Sequence, residues 1–309
     1  MNNSPAIQIE GLKKSYGKTV ALTGVDLTIP QGSFYGLLGP NGAGKSTTIN
    51  ILTGLVIRDS GKTNVFGRDT VKDYRFTRAQ IGLAAQELPI DWFFPIERLL
   101  YFHAGYYGIS KAKAKPRIEE LLVKLGLEKK RKARLRQLSG GMKRSFQIAK
   151  ALVHDPPLII LDEPTAGVDV ELRHELWQYL KDLHGQGKTI LLTTHYIEEA
   201  ELLCERTAII DQGKVIADGT PAELTKAQGK SGITLKISNW DDSMAPLLDG
   251  YTYTYDSGSL HLIVKEPDDE LPVIITRLCN GSAHITNAKI TKTTLEDVFL
   301  NLTGRGITE

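Results

Sequence analysis

Cysteine is almost absent. Cys204 and Cys279 are the two in 309 residues, far apart and in no metal-ligand spacing. A disulfide framework is therefore not expected, and two reduced thiols in a cytosolic protein fit better. Long apolar runs are missing too. No stretch approaches the roughly 20 residues that cross a bilayer. If the chain works at a membrane, another chain must cross it. The start, MNNSPAIQIEGL, has no basic stretch followed by an apolar core, so no signal peptide is expected. Charge of one sign is also lacking. Lys plus Arg number 38 against 36 Asp plus Glu, which gives no electrostatic case for nucleic acid as a partner. No internal repeat or low-complexity tract occurs. What remains is a 41% hydrophobic chain, long enough to bury one large core and one small one.

Residues 6–38 alternate and are punctuated by turn residues, which predicts strands. FYGLL, 34–38, is a short buried strand running into GPNGAGKST. TTINILTGL then predicts a helix with Gly54 as its stop. Residues of about 88–155 have a helical texture. PLIILDEP, 157–164, is a continuous apolar run ending in acids, as in a strand buried on both faces of a parallel sheet. VELRHELWQYLKDLHGQG predicts an amphipathic helix, TILLTTH a second buried strand and AIIDQGKVIADG a hairpin. The composition changes near 225–232, where KAQGKSG reads as a linker. Strands around Asp-Ser-Gly, a helix at ELPVIITRLC, a strand near HITNAKI and a last helix follow. Thr293 and Glu296 have capping-box spacing for that helix, with Leu295, Val298, Phe299 and Leu302 on one face. The expected organisation is a nucleotide-binding domain over 5–227 and a small α/β domain over 231–309.

Gly39-Pro40-Asn41-Gly42-Ala43-Gly44-Lys45-Ser46 fits the P-loop pattern between a strand and a helix. Its glycines let backbone N–H groups turn inward onto phosphate oxygens, and the helix N-terminus adds its dipole. Lys45 is expected on the β- and γ-phosphates, Ser46 on Mg²⁺ and Thr47 on the α-phosphate. The strand PLIILDEP delivers Asp162 toward the metal, and Glu163 follows as a general base for water. These residues predict hydrolysis of ATP or GTP.

A second glycine pair stands in RLRQLSGGMKRSFQIAKAL, 134–152. Leu138-Ser139-Gly140-Gly141 resembles the signature motif of ABC ATPases. The other elements of that family occur in its order. Tyr16 in KSYGKTVAL matches the aromatic that stacks on adenine. Gln86 in IGLAAQE matches the glutamine of the loop to the helical subdomain, where it also approaches the metal. Ala166-Gly167-Val168-Asp169 matches the D-loop, and His195 in LLTTH the switch histidine that contacts the γ-phosphate. The likeness covers roughly residues 6–225, with one departure at Met142, where many members carry Gln. It implies a P-loop NTPase of the ABC ATPase fold: a mixed sheet core, an N-terminal antiparallel β subdomain and a helical signature subdomain of about 88–155.

The resemblance also implies why two Gly-rich loops exist. Ser139, Gly140 and Gly141 would face the nucleotide held by a second copy of the chain, so that two copies enclose two ATP and Mg²⁺ in a head-to-tail dimer. The ending TTLEDVFLNLTGR resembles ATPase subunits of type-two exporters, with bacterial multidrug-type subunits the strongest likeness. That implies separate transmembrane permease subunits and a peripheral position on the cytoplasmic face of a bacterial inner membrane. The aromatic-rich DWFFPIERLLYFHAGYYG, 91–108, covers the region that grips a coupling helix in that family, and at least one of Trp92, Phe93 and Phe94 is expected to face a partner. The basic run 111–136 reads as a solvated helix face, or as a segment near an anionic leaflet. A non-transport ABC ATPase acting on nucleic acid or ribosomes is the alternative. It predicts a long coiled coil or two motif sets, and neither is present. Asp241-Asp242 and Asp268-Asp269-Glu270 read as turn acids.

Overall fold

The structure, a computed structural model, describes residues 4–86, 93–228, 231–291 and 293–304. The chain falls into two compact units that meet in sequence at Thr220 and Pro221. The first contains β1 (Ile7–Tyr16), β2 (Thr19–Ile29), β3 (Phe34–Leu38), α1 (Lys45–Leu52), β4 (Ser60–Val65), β5 (Arg68–Asp69), α2 (Tyr74–Ala79) and β6 (Ile81–Ala84). It continues through α3 (Ile96–Tyr106), α4 (Lys111–Lys124), α5 (Gly140–Leu152), β7 (Leu158–Asp162) and α6 (Val170–Gly185). It ends with β8 (Thr189–Thr193), α7 (Ile197–Leu203), β9 (Arg206–Asp211) and β10 (Lys214–Gly219). The second contains α8 (Pro221–Gln228), β11 (Ser231–Ile237), β12 (Thr252–Asp256), β13 (Ser259–Val264), α9 (Pro267–Asn280), β14 (Ile285–Thr291) and α10 (Leu295–Thr303).

Two sheets build the first unit. The larger runs β10-β9-β3-β8-β7-β6, parallel except where β10 returns against β9. Every residue of β3, β7 and β8 is buried, which explains their unbroken apolar sequences. The smaller sheet, β2-β1-β4-β5, is antiparallel. Thr23 on β2 donates its N–H to the Gly213 carbonyl in the turn before β10, joining the smaller sheet to the larger. Ile7, Ile9, Leu12 and Val25 from the first sheet share one core with Tyr35, Leu158, Leu191 and Ile210 from the second.

Helices α3, α4 and α5 form the helical region. Helix α4 buries Ala114, Ile118, Leu121 and Leu122 and turns Lys111, Lys113 and Lys115 to solvent. Part of the basic run is neutralised locally: Arg117 bonds Glu120 and Arg131 bonds Glu97. Phe93 is 77% exposed, while Phe94 packs edge-on against Phe102. Trp92 and part of the linker stretch, 229–230, lie outside the described residues.

In the second unit the sheet runs β12-β13-β11-β14, all antiparallel. Ile233, Leu235, Leu260 and Leu262 pack under α9 through Ile274 and Leu278. Helix α8 belongs to this unit and packs against α10, whose Leu295, Val298 and Phe299 are fully buried. The capping box of α10 is one residue later than the sequence suggested. Thr294 accepts from the Asp297 N–H, and the Asp297 carboxylate accepts from the Thr294 N–H.

Candidate active site

The P-loop lies where the parallel sheet releases its central strand. Gly39 follows β3 so closely packed that a Cβ would sit 2.4 Å from the Ile210 carbonyl oxygen. Gly44, at φ 112, turns the chain into α1 in a conformation that side chains rarely adopt, with Leu22 of β2 against it. Between them Pro40 and Ala43 are buried, while Asn41 and Gly42 are exposed. Ser46 is exposed and Thr47 half-buried at the start of α1.

Lys45 is buried, and its Nζ donates to the Gly39 carbonyl at 2.5 Å and to the Pro40 carbonyl at 3.0 Å. Its ammonium is thus turned back onto the loop, and reaching a phosphate means exchanging those two acceptors. Burial lowers the Lys45 pKa, and the negative fields of Glu163 and Asp162 oppose that shift.

The acidic pair arrives on the neighbouring part of the sheet. Asp162 ends β7, and its Oδ1 accepts from Thr193 Oγ1 on β8 at 2.5 Å. Its Oδ2 lies 3.4 Å from Ser46 Oγ. Glu163 leaves the strand in a left-handed conformation, φ 51, with its N–H bonded to the Thr193 carbonyl at 2.9 Å. Its Oε2 receives Gln86 Nε2 at 3.0 Å and faces His195 Nδ1 at 3.3 Å. Loop, acids, glutamine and histidine therefore converge from separate parts of the sequence. Ser46 and Asp162 offer a hydroxyl and a carboxylate side by side, an all-oxygen donor set that suits a hard cation such as Mg²⁺. The Gln86 amide nitrogen is engaged by Glu163, which leaves its carbonyl oxygen as the end able to face a metal.

The remaining sequence candidates make other contacts. Tyr16 is 47% exposed at the end of β1, with Lys14 over its ring. Ser139 is the N-cap of α5, where its Oγ accepts the Met142 N–H at 3.2 Å, and Gly140 is exposed beside it. No hydrogen bond joins Ser139 to the P-loop among the described residues. Asp169 caps α6 by accepting the Leu172 N–H.

Sequence reading missed two supports. Thr193 orients Asp162, and its only signal is its place before His195 at the end of a buried strand. Arg144 and Gln147 sit one helical turn apart on α5, both buried. Arg144 donates to the Ala85 carbonyl at 3.1 Å and the Gln86 carbonyl at 3.3 Å, and Gln147 donates to the Ala85 carbonyl at 2.8 Å. The helix that carries Ser139 at its tip is thus clamped to the backbone that carries Gln86. Burial lowers the Arg144 pKa, against the opposing fields of Asp162, Glu163 and Glu199.

Comparison with known proteins places the chain in a family. The family described as ABC transporter matches residues 22–166. The Nod factor export ATP-binding protein I of Paraburkholderia xenovorans (strain LB400) is 37% identical, covering 97% of this chain and 97% of that protein. The linearmycin resistance ATP-binding protein of Bacillus subtilis (strain 168) is also 37% identical, over 97% of this chain and 98% of its own. A solved ATP-binding cassette, dimeric in a post-hydrolysis state with ADP and Pi, is 28% identical with a TM-score of 0.65, covering 69% of this chain and 98% of that one. The chain belongs to the ATP-binding, ATP-hydrolysing subunits of ABC transporters, in the type-two exporter branch.

Proposed function

We propose that two copies of this chain close head to tail on two ATP, and that closure drives export through separate permease subunits at the cytoplasmic face of the membrane. The observation that carries this reading is the convergence of Gln86 and His195 on one oxygen of Glu163, beside the Ser46–Asp162 pair. Glu163 accepts a proton from the attacking water. His195 contacts the γ-phosphate, Gln86 senses the metal side of the site, and Lys45 turns outward to neutralise the phosphates. Ser46, Asp162 and Gln86 would hold Mg²⁺, which when bound would supply neutralising charge to the phosphates. Tyr16 stacks on adenine, and Thr47 contacts the α-phosphate.

The exposed tip of α5 supports the composite site. Ser139 keeps a hydroxyl proton to donate while its oxygen caps the helix, and no acceptor among the described residues takes it. Ser139, Gly140 and Gly141 then serve the partner's nucleotide, with the D-loop residue Asp169 near the same junction.

Permease docking is supported by a groove of about 260 Å³, lined by Leu55, Leu83, Tyr107, Arg78 and Lys150 among others, with no acidic side chain among the described residues of its wall. No helix among the described residues is long and apolar enough to cross a membrane, which suits a peripheral subunit.

Glu163→Gln is expected to hold an ATP-bound dimer, seen by size-exclusion chromatography, while Lys45→Ala abolishes turnover. Ser139→Arg should bind ATP and fail to dimerise. Full hydrolysis by Glu163→Gln removes the base assigned here, and ATP-driven dimers of Ser139→Arg remove the composite site.

A further inference from the structure

Glu199 lies four residues beyond His195 on α7 and is fully buried. Its Oε1 accepts two hydrogen bonds, from Thr165 Oγ1 at 2.7 Å and from Trp177 Nε1 at 2.7 Å. Its Oε2 accepts none. No ion pair joins it to a cation among the described residues. A buried carboxyl group is a costly way to hold two neutral donors, since an amide or a hydroxyl could accept them at less desolvation cost.

The segments it joins explain its place. Thr165 belongs to the turn that begins at Glu163: the Ala166 N–H donates to the Glu163 carbonyl at 3.3 Å, and the Val168 N–H to the Thr165 carbonyl at 3.2 Å. That turn enters α6 through the Asp169 cap, and α6 carries Trp177. Helix α7 starts two residues after His195. Glu199 therefore ties the turn after Glu163 to the helix after His195.

Glu163 needs such a tie. Its φ of 51 is unfavourable for a residue with a side chain, and such conformations persist only when surrounding contacts over-determine them. On its N-terminal side the N–H bond to Thr193 holds it. On its C-terminal side Pro164 is buried, and the first buried side-chain hydrogen bond is that of Thr165 to Glu199.

We propose that Glu199 is a positioning residue for ATP hydrolysis, holding the Thr165 turn against α7 so that Glu163 and His195 keep their separation. This rests on the reading of Glu163 as base and His195 as γ-phosphate contact.

The test uses the purified full-length chain, with steady-state MgATP turnover and thermal unfolding measured on the same samples. Thr165→Val keeps the buried shape and removes the donor. Its kcat is expected to fall by about tenfold or more, with KM and unfolding temperature nearly unchanged, because small displacements of a catalytic group cost that much. Glu199→Gln keeps an oxygen that can accept both bonds and should retain most of the kcat. Trp177→Phe removes the bond on the α6 side, and should lower stability and leave kcat nearly intact. Wild-type kcat in Thr165→Val overturns the proposal. So does a loss of kcat in Thr165→Val and Trp177→Phe that simply tracks their loss of stability. Glu163→Gln and His195→Ala serve as controls. If they hydrolyse ATP normally, the roles assigned to those residues fail. If they are inactive while Thr165→Val is normal, the tether alone fails.

Discussion

Lowering the pH from about 7 to about 5 should destabilise the first unit through two histidines beneath the groove. His103 and His154 both have pKa values lowered to about 4, chiefly by burial. Tyr107 packs on both, stacked on His154 at 3.6 Å and edge-on to His103 at 5.3 Å, and the two imidazoles meet edge-on at 6.3 Å. His154 Nε2 bonds the Ile81 carbonyl at 3.1 Å, and its buried Nδ1 has no partner. Protonation would place an N–H there without an acceptor. For His103, Lys150 adds like charge. The unfolded chain protonates these rings near the ordinary imidazole value of 6.5 and the folded chain only near 4. Between those values unfolding takes up protons, so stability falls as the pH falls. At about pH 5 the unfolded rings lie about 1.5 pH units past their midpoint, worth about 2 kcal/mol for one ring, and the two rings are coupled because a charged His154 also lowers the His103 pKa. Lowered carboxylates such as Glu97 and Asp69 start from ordinary values of 4.5 and 3.8, so their losses come mainly below this window. The assay is urea unfolding of the full chain at both pH values, paired with ring titration by NMR. His154→Phe keeps a ring on Tyr107 and should remove about half of the pH dependence. Ring pKa values near 6.5, or equal stability at both pH values, would refute the reasoning.

Gly39→Ala places a Cβ 2.4 Å from the Ile210 carbonyl oxygen, backbone that cannot step aside, so the loop must shift. Affinity for a fluorescent ATP analogue is expected to drop by about tenfold or more in equilibrium titration. Arg144→Met keeps the volume and removes the bonds to the Ala85 and Gln86 carbonyls. Its kcat should fall with little change in KM, in the same turnover assay. Thr294→Ala removes the cap of α10 and should cost the second unit about 1 kcal/mol in denaturant unfolding.

The chemistry-bearing segments were legible because each is local. GPNGAGKST, LDEP and LSGG hold their proposed site residues in consecutive positions, and β3 and β7 announce burial by having no polar face to offer. Their supports were not legible, because Arg144, Thr193 and Glu199 act on segments that are distant in the chain, and only packing brings those together. The α10 cap shows a different limit. In KTTLEDVF both Thr293–Glu296 and Thr294–Asp297 satisfy the capping spacing, so spacing alone cannot choose. The helix starts at Leu295, with Thr294 bonded to Asp297 and Leu295, Val298 and Phe299 all buried.

The left-handed backbone at Glu163 sets stability against work at a single position. Asn or Gly would sit there with less strain, and neither side chain can take a proton from water. With Glu163 as the proposed base, a screen for heat-resistant variants of this chain would tend to collect inactive proteins at residue 163. A glutamate at this position makes sense only for a chain kept for turnover.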